Sequence, residues 1–147
     1  MVLTGSDLVA RALHKQGVDT FFYIMGAPML SVESAALALG LRGVDVRHEQ
    51  AAAMAAHAYA RLLNRPGVCM AASGPGTTNL ITGIAHAFVD CTPVVALGGS
   101  SPASQSHKGH FRRSTNWRCS RPAPSGVTGF TVPNGFPSFS AMRSARR

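Results

Sequence analysis

The sequence predicts an α/β protein with a mostly parallel sheet and helices on both faces, followed by a disordered basic tail. Short β-rich segments alternate with helical patterns through the first hundred residues, and the links between them are short. That alternation is typical of a parallel sheet covered by helices. The pattern stops beyond Ser104, so we expect one domain over residues 1–107 and a tail over residues 108–147.

The first half of the predicted domain contains two strands and two helices. Capping residues in Thr4–Asp7 precede apolar residues at helical spacing, which predicts a helix up to Gly17. The β-rich run Asp19–Met25 predicts a strand, and small residues at Leu30–Leu39 predict a helix that ends at Gly40. A second strand is predicted at Gly43–His48.

The second half of the predicted domain repeats this order. The run Glu49–Leu63 is strongly helical, and it ends before Pro66 and Gly67. The apolar run Val68–Ser73 predicts a strand, a turn at residues 74–79 enters a helix that ends near Val89, and Pro93–Gly98 predicts a buried strand.

The positive charge of the chain is confined to its tail. Residues 1–107 hold six basic and six acidic residues, whereas residues 108–147 hold eight basic residues and no acidic one. The longest apolar runs are far too short to span a bilayer, and charged Asp7 and Arg11 interrupt the first apolar stretch. We therefore expect a cytoplasmic protein without a membrane segment.

Three loops are expected at the carboxyl ends of the predicted strands, where parallel sheets bind ligands. They are Gly26–Met29, His48–Gln50 and Ser73–Asn79.

Glu49 is the first candidate functional residue. It follows a predicted strand and begins a helix lined by alanines, so few polar side chains are expected near it. A carboxylate in such a place could be desolvated, which suits a group that donates or shares a proton near neutral pH. A glutamate in the first turn also complements the helix dipole. The pattern alone favours this second interpretation.

The run Gly74-Pro75-Gly76-Thr77-Thr78-Asn79 is the second candidate. Its glycines permit close backbone approach to a flat ligand, and a helix N-terminus follows. An ordinary strand–turn–helix connection explains the run equally well. The dinucleotide motif G-x-G-x-x-G is not matched, because residue 79 is asparagine.

No other motif carries chemistry. The six histidines show no metal-ligand spacing, so no metal site is predicted, and no nucleophile elbow or P-loop is present. Chemistry must therefore come from a cofactor or be absent.

Together these motifs resemble the N-terminal, pyrimidine-binding domain of thiamine diphosphate enzymes of the acetolactate synthase, oxalyl-CoA decarboxylase and 2-hydroxyacyl-CoA lyase type. The resemblance runs from Gly5 to about Gly109. Its landmarks are Gly26-Ala27-Pro28, the run R-H-E-Q-A-A at 47–52, R-P-G-V-C at 65–69 and S-G-P-G-T-T-N-L at 73–80. The combination of R-H-E-Q-A-A and S-G-P-G-T-T-N-L at this separation is more specific than either motif alone.

The resemblance implies that Glu49 hydrogen-bonds N1′ of the cofactor's aminopyrimidine, which promotes removal of the thiazolium C2 proton. The cofactor then acts as an electron sink for a 2-keto acid or acyl-CoA substrate. The pocket would be shaped by Gly26, Ala27, Pro28, Gly74, Pro75, Gly76 and Asn79.

The resemblance also implies a homodimer, with Mg²⁺ and the diphosphate held by a C-terminal domain that this sequence does not match. Without that charged anchor we expect the isolated chain not to turn over. A non-catalytic subunit that pairs with a full-length paralogue is an alternative.

The tail departs from the family pattern after Gly109. If one base were missing near Lys108–Gly109, the neighbouring reading frame would allow a family-like continuation, so we expect residues from about 110 to 147 to be a frameshift product. The alternative is a nucleic-acid-binding arm, because eight positive charges with interleaved aromatic residues could contact phosphates and stack on bases. Nucleic acid is the less favoured partner.

Overall fold

The computed structural model describes residues 3–102, 127–130 and 137–143, and side chains up to residue 100. The helices are α1 (Gly5–Lys15), α2 (Leu30–Ala38), α3 (Glu49–Leu63), α4 (Pro75–Asn79) and α5 (Ile81–Val89). The strands are β1 (Thr20–Tyr23), β2 (Arg42–Asp45), β3 (Gly67–Ala71), β4 (Val94–Pro102), β5 (Val127–Phe130) and β6 (Pro137–Arg143).

The sheet confirms the predicted architecture. Its order is β2-β1-β3-β4-β6-β5, and the first four strands pair in parallel. Each predicted strand and helix of the first hundred residues is present with ends within a few residues of those expected. The predicted last helix is α5, whereas the turn predicted at residues 74–79 forms the short helix α4, which meets α5 at Leu80.

Alternating side chains of the central strands give the sheet two apolar faces. Phe21, Val68 and Met70 face α1 and α2, whereas Phe22 and Cys69 face α3 and α5. Because both faces are buried under helices, the strands are apolar throughout rather than alternating polar and apolar residues. Helices on both faces were predicted, and this prediction is confirmed.

Small residues let α3 lie unusually close to its neighbours. A Cβ atom on Gly67 would lie 2.0 Å from the carbonyl oxygen of Ala56, so the start of β3 touches the α3 backbone. A Cβ atom on Gly83 would lie 2.5 Å from the Cβ of Ala53, so α5 also packs directly on α3. The alanine-rich composition of α3 therefore reflects close packing as well as helix propensity.

Polar contacts fix both the first helix and the amino end of β1. Thr4 and Asp7 form the capping box expected at the start of α1, where the Thr4 amide donates to the Asp7 carboxylate at 2.8 Å. The Tyr59 hydroxyl on α3 donates to Asp19 at 2.7 Å, and Arg65 pairs with the same carboxylate. These hydrogen bonds hold the pKa of Asp19 below its usual value.

Two segments of the predicted tail form strands. β6 pairs antiparallel with β4, and β5 pairs antiparallel with β6. These strands were not predicted, because β4 leaves an open sheet edge and ladder pairing uses backbone groups that no side-chain period reveals. Disorder of the tail as a whole stays a prediction. The remainder of residues 103–147 lies outside the described part, and the frameshift stays a prediction.

Within the part of the chain that the structure describes, no helix has the length and apolar character needed to cross a membrane.

Glu33 on α2 is a buried carboxyl that the sequence did not single out. It is only 2% exposed, and neither of its oxygens has a hydrogen-bond partner among the described residues. Burial, with a smaller contribution from the Asp45 carboxylate, raises the pKa of Glu33 to about 7. Burying a neutral carboxylic acid at this position costs less free energy than burying a carboxylate.

We expect Glu33→Gln to stabilise the fold at pH 8 and to have a much smaller effect at pH 5. A folded-state pKa above the unfolded value means that Glu33 supports folding below about pH 4.5 and loses this contribution as the pH rises to about 7. Urea unfolding of both proteins at the two pH values measures the difference, on the order of 1–3 kcal/mol. An equal effect at pH 5 and pH 8 would contradict the assigned pKa.

We expect Gly83→Ala to destabilise the fold, although alanine is the better helix former. The new Cβ would overlap Ala53, and overpacking of this kind costs roughly 1–3 kcal/mol. Thr82→Ala is the matched control, because residue 82 is the exposed neighbour in the same helix. Urea denaturation should show loss of stability for the first variant only. A neutral Gly83→Ala would mean that α3 and α5 can separate at little cost.

Candidate functional site

The three predicted loops lie together at the carboxyl edge of the parallel strands. β1 is paired on one side with β2 and on the other with β3. After β1 the chain passes to α2 on one face of the sheet, and after β3 it passes to α4 and α5 on the other face. The chain thus leaves these two neighbouring strands toward opposite faces of the sheet, and ligands bind at such a point in open parallel sheets.

Glu49 is the first residue of α3 and points into this region. His48 precedes it with an extended backbone, and its Nδ1 accepts a hydrogen bond from the Gln50 amide at 3.2 Å. This cap fixes where α3 starts. Glu49 is half-buried, and its Oε2 accepts a hydrogen bond from Asn79 Nδ2 at 2.9 Å. The position suits the helix dipole and also brings the carboxylate to the loop after β3, and the catalytic interpretation of Glu49 stays a prediction.

Gly76 leaves space beside the other carboxylate oxygen. A Cβ atom at residue 76 would lie 3.2 Å from Glu49 Oε1 and 3.4 Å from the Cβ of Ala72. Gly74 has φ 67°, a conformation that favours glycine and turns the chain into α4. Pro75 opens α4 and is exposed. The glycines thus keep side chains away from Glu49 Oε1.

The loop after β1 packs against the loop after β3. The Ser73 amide approaches the Ala27 carbonyl oxygen at 3.5 Å, and a Cβ atom on Gly26 would lie 2.7 Å from the Cβ of Ala72. Pro28, which follows a cis peptide bond, reaches β4, where a Cβ atom on Gly99 would lie 2.5 Å from its Cδ. The structure therefore brings Gly26, Ala27 and Pro28 to the edge that holds Glu49.

Sequence reasoning missed the residues that support the second loop. The Thr77 hydroxyl donates to the Ala72 carbonyl oxygen at 2.7 Å, and a Cβ atom on Gly98 would lie 2.5 Å from Thr77 Cγ2. The doublet Gly98-Gly99 at the carboxyl end of a buried strand was the available signal, because paired glycines there imply close approach of another segment.

The arrangement suits a flat heterocycle with a hydrogen-bond donor. One carboxylate oxygen is held by Asn79, and the other lies beside a glycine that carries no side chain. A carboxylate oxygen of this kind accepts a hydrogen bond from a ring N–H. No group of three or more histidine, cysteine, aspartate or glutamate residues forms a metal site within the described ranges.

The fold and this site define the class of the protein. Residues 3–117 match the family of the thiamine pyrophosphate enzyme N-terminal TPP binding domain, and the chain belongs to that family. Thiamine diphosphate is the cofactor of this family. The match continues ten residues beyond the predicted domain boundary at 107, so that boundary stays a prediction.

Individual relatives are similar over the same region. Human 2-hydroxyacyl-CoA lyase 1 is 40% identical over 110 residues, which are 75% of this chain and 19% of the relative. The acetolactate synthase isozyme 2 large subunit of Escherichia coli K12 is 48% identical over 101 residues, or 69% of this chain and 18% of the relative. An acetolactate synthase of Mycobacterium bovis is 50% identical over 98 residues, or 66% and 16%.

The chain therefore spans less than a fifth of the length of these relatives. The resemblance inferred from Glu49 and the glycine loops is confirmed. The matches do not favour a nucleic-acid-binding protein or a non-catalytic subunit over a domain of a thiamine diphosphate enzyme.

We expect Thr77→Val to destabilise the chain more than Thr78→Val does. The hydroxyl of buried Thr77 supports the loop by donating to the Ala72 carbonyl oxygen. The Thr78 hydroxyl donates to the Pro75 carbonyl oxygen at a more exposed position. Loss of a buried hydrogen bond costs roughly 1–3 kcal/mol. Thermal and urea unfolding of the two valine variants check this. Equal losses would show that the Thr77 bond does not anchor the loop.

Proposed function

We propose that this chain binds the aminopyrimidine of thiamine diphosphate as part of an acetolactate synthase-like decarboxylase or carboligase. The observation that carries the proposal is the Glu49 carboxylate at the sheet edge, with Oε1 beside Gly76 and Oε2 bound by Asn79. The family match supports it, because the matched domain is a TPP binding domain.

In this proposal Glu49 is the catalytic residue and hydrogen-bonds N1′ of the aminopyrimidine, accepting from this ring nitrogen when it carries a proton. Gly26, Ala27 and Pro28 form one wall of the pocket, and Gly74, Pro75, Gly76 and Asn79 form the other. The glycine at 76 fits a flat ring, since a Cβ there would approach Oε1 to 3.2 Å. When bound, the cofactor supplies an electron sink for cleavage or formation of a bond next to a carbonyl.

We further propose that the intact enzyme is a homodimer in the cytoplasm, and that a C-terminal domain holds Mg²⁺ and the diphosphate. The named relatives act, by their names, on acetolactate or on 2-hydroxyacyl-CoA compounds, so a small 2-keto acid or an acyl-CoA is the proposed substrate class. The short span of the match supports a cofactor site that is shared between domains. We therefore expect the isolated chain not to convert substrate.

We expect Glu49→Gln to weaken binding of thiamine to this chain by about tenfold or more, because a hydrogen bond to a charged group is worth roughly 1.5–3 kcal/mol. Ligand-detected NMR titration with thiamine measures the affinity. Glu33→Gln is the matched control, since it changes the other glutamate of the chain in the same way but lies on α2. Unchanged affinity in Glu49→Gln, or an equal loss in both variants, would refute the role of Glu49.

For the tail we retain the proposal of a shifted reading frame, because residues 108–147 hold eight basic residues and no acidic one, unlike the neutral part before them. The family match runs on to residue 117, a few residues past the proposed shift. Sequencing the coding DNA around Lys108 tests it. We expect one added base to open a family-like frame. An error-checked gene whose codons forbid that continuation would reject the proposal.

A further inference from the structure

Asn79 makes a side-chain contact with Glu49 across the site, between α4 and the start of α3. We propose that Asn79 is a positioning residue: it holds Oε2 of Glu49 so that Oε1 alone is presented to the aminopyrimidine. This inference rests on the proposed function of Glu49 and assigns a separate task to each of its two oxygens.

The chemistry of the pair fixes the direction of the hydrogen bond. A carboxylate only accepts hydrogen bonds, so the asparagine must turn its NH₂ group, rather than its carbonyl oxygen, toward Glu49. The Nδ2–Oε2 distance of 2.9 Å lies in the range of charge-assisted hydrogen bonds. Both residues are half-buried, which limits competition from water.

The contact removes a freedom that an isolated glutamate would have. The last torsion of a glutamate side chain is broad and roughly two-fold, so an untethered carboxylate turns freely and offers either oxygen in many orientations. Binding a ligand in one orientation then costs conformational entropy. A hydrogen bond to Oε2 fixes this torsion before the ligand arrives.

Gly76 lies on the same short helix as Asn79, three residues earlier, and therefore on the same side of α4. The space that its missing side chain leaves adjoins Oε1, at 3.2 Å from where a Cβ would be. One turn of backbone thus places a donor on one oxygen and no side chain beside the other. The Thr77 hydroxyl anchors this turn to Ala72.

The test uses the full chain, labelled with ¹⁵N, and 4-amino-5-hydroxymethyl-2-methylpyrimidine as the probe. Asn79→Asp replaces the donor with an acceptor of the same shape and places a second carboxylate against Glu49. We expect the dissociation constant of the probe, measured by NMR titration, to rise about tenfold or more, as for loss of a hydrogen bond to a charged group.

Asn64→Asp is the matched control. Residue 64 caps the opposite end of α3, roughly 20 Å from Glu49 by helix rise, and its left-handed conformation is one that aspartate also tolerates. The same chemical change there should alter the dissociation constant by less than about twofold, since an exposed position away from the site makes no contact with the probe.

Two readouts separate positioning from other roles. In the ligand-free wild type, the side-chain amide protons of Asn79 should exchange with solvent more slowly than those of exposed Asn64, and Glu49→Ala should remove this protection. In a Glu49→Gln background, Asn79→Asp should cause no further loss of probe affinity, because its effect passes through Glu49.

The outcomes distinguish this inference from the proposed function. If the wild type binds the probe and Asn79→Asp binds it equally well, the positioning role is overturned while Glu49 keeps its function. Unprotected Asn79 amide protons, or additive losses in the double variant, also overturn it. If the wild type shows the protected amide but does not bind the probe, the proposed function itself fails, and the inference falls with it.

Discussion

The close approach of α3 to the sheet is the constraint on which the rest of the structure depends. Ala56 leaves no room for a side chain at Gly67, and Ala53 leaves none at Gly83. Contacts at this distance fix both the depth and the direction of the helix, because a packed interior resists displacement. Glu49 is the first residue of the same helix. The placement of the carboxylate is thus decided partly by apolar contacts in the first half and at the middle of α3.

Polar contacts also hold α3 in its position. At the amino end of β1, Asp19, Tyr59 and Arg65 join the end of α3 to the sheet. On the outer side, Arg61 donates to Asp90 at 2.7 Å and joins α3 to the end of α5, which lowers the pKa of Asp90. At the carboxyl end, Asn79 joins the start of α3 to α4. α3 is held at each end and along its side, which leaves Glu49 little freedom of position.

The two glutamates of the chain show how environment separates roles. Glu33 is fully buried on α2 without a partner, and burial raises its pKa to about 7. Glu49 is only half-buried and receives a hydrogen bond from the Asn79 amide. The first group is suited to remain neutral in the core, and the second is suited to meet a ligand at the sheet edge.

The sequence by itself determined the order of the elements, the parallel sheet and the three loops at the carboxyl ends of the strands, and it singled out Glu49 as a candidate. It could do so because apolar runs, capping residues and glycine positions are local signals. The R-H-E-Q-A-A and S-G-P-G-T-T-N motifs also indicated the family, which the family match confirmed.

Only the tertiary structure decided which groups meet. Asn79 and Glu49 are 30 residues apart, and Gly99 on β4 contacts Pro28, which lies in the loop after β1. The burial of Glu33 and the pairing of β6 along β4 are likewise invisible in the local pattern. The physical reason is that these contacts depend on the distances between packed elements. The side-chain volumes of the whole core determine those distances together, whereas periodicity shows only which face of each element is apolar.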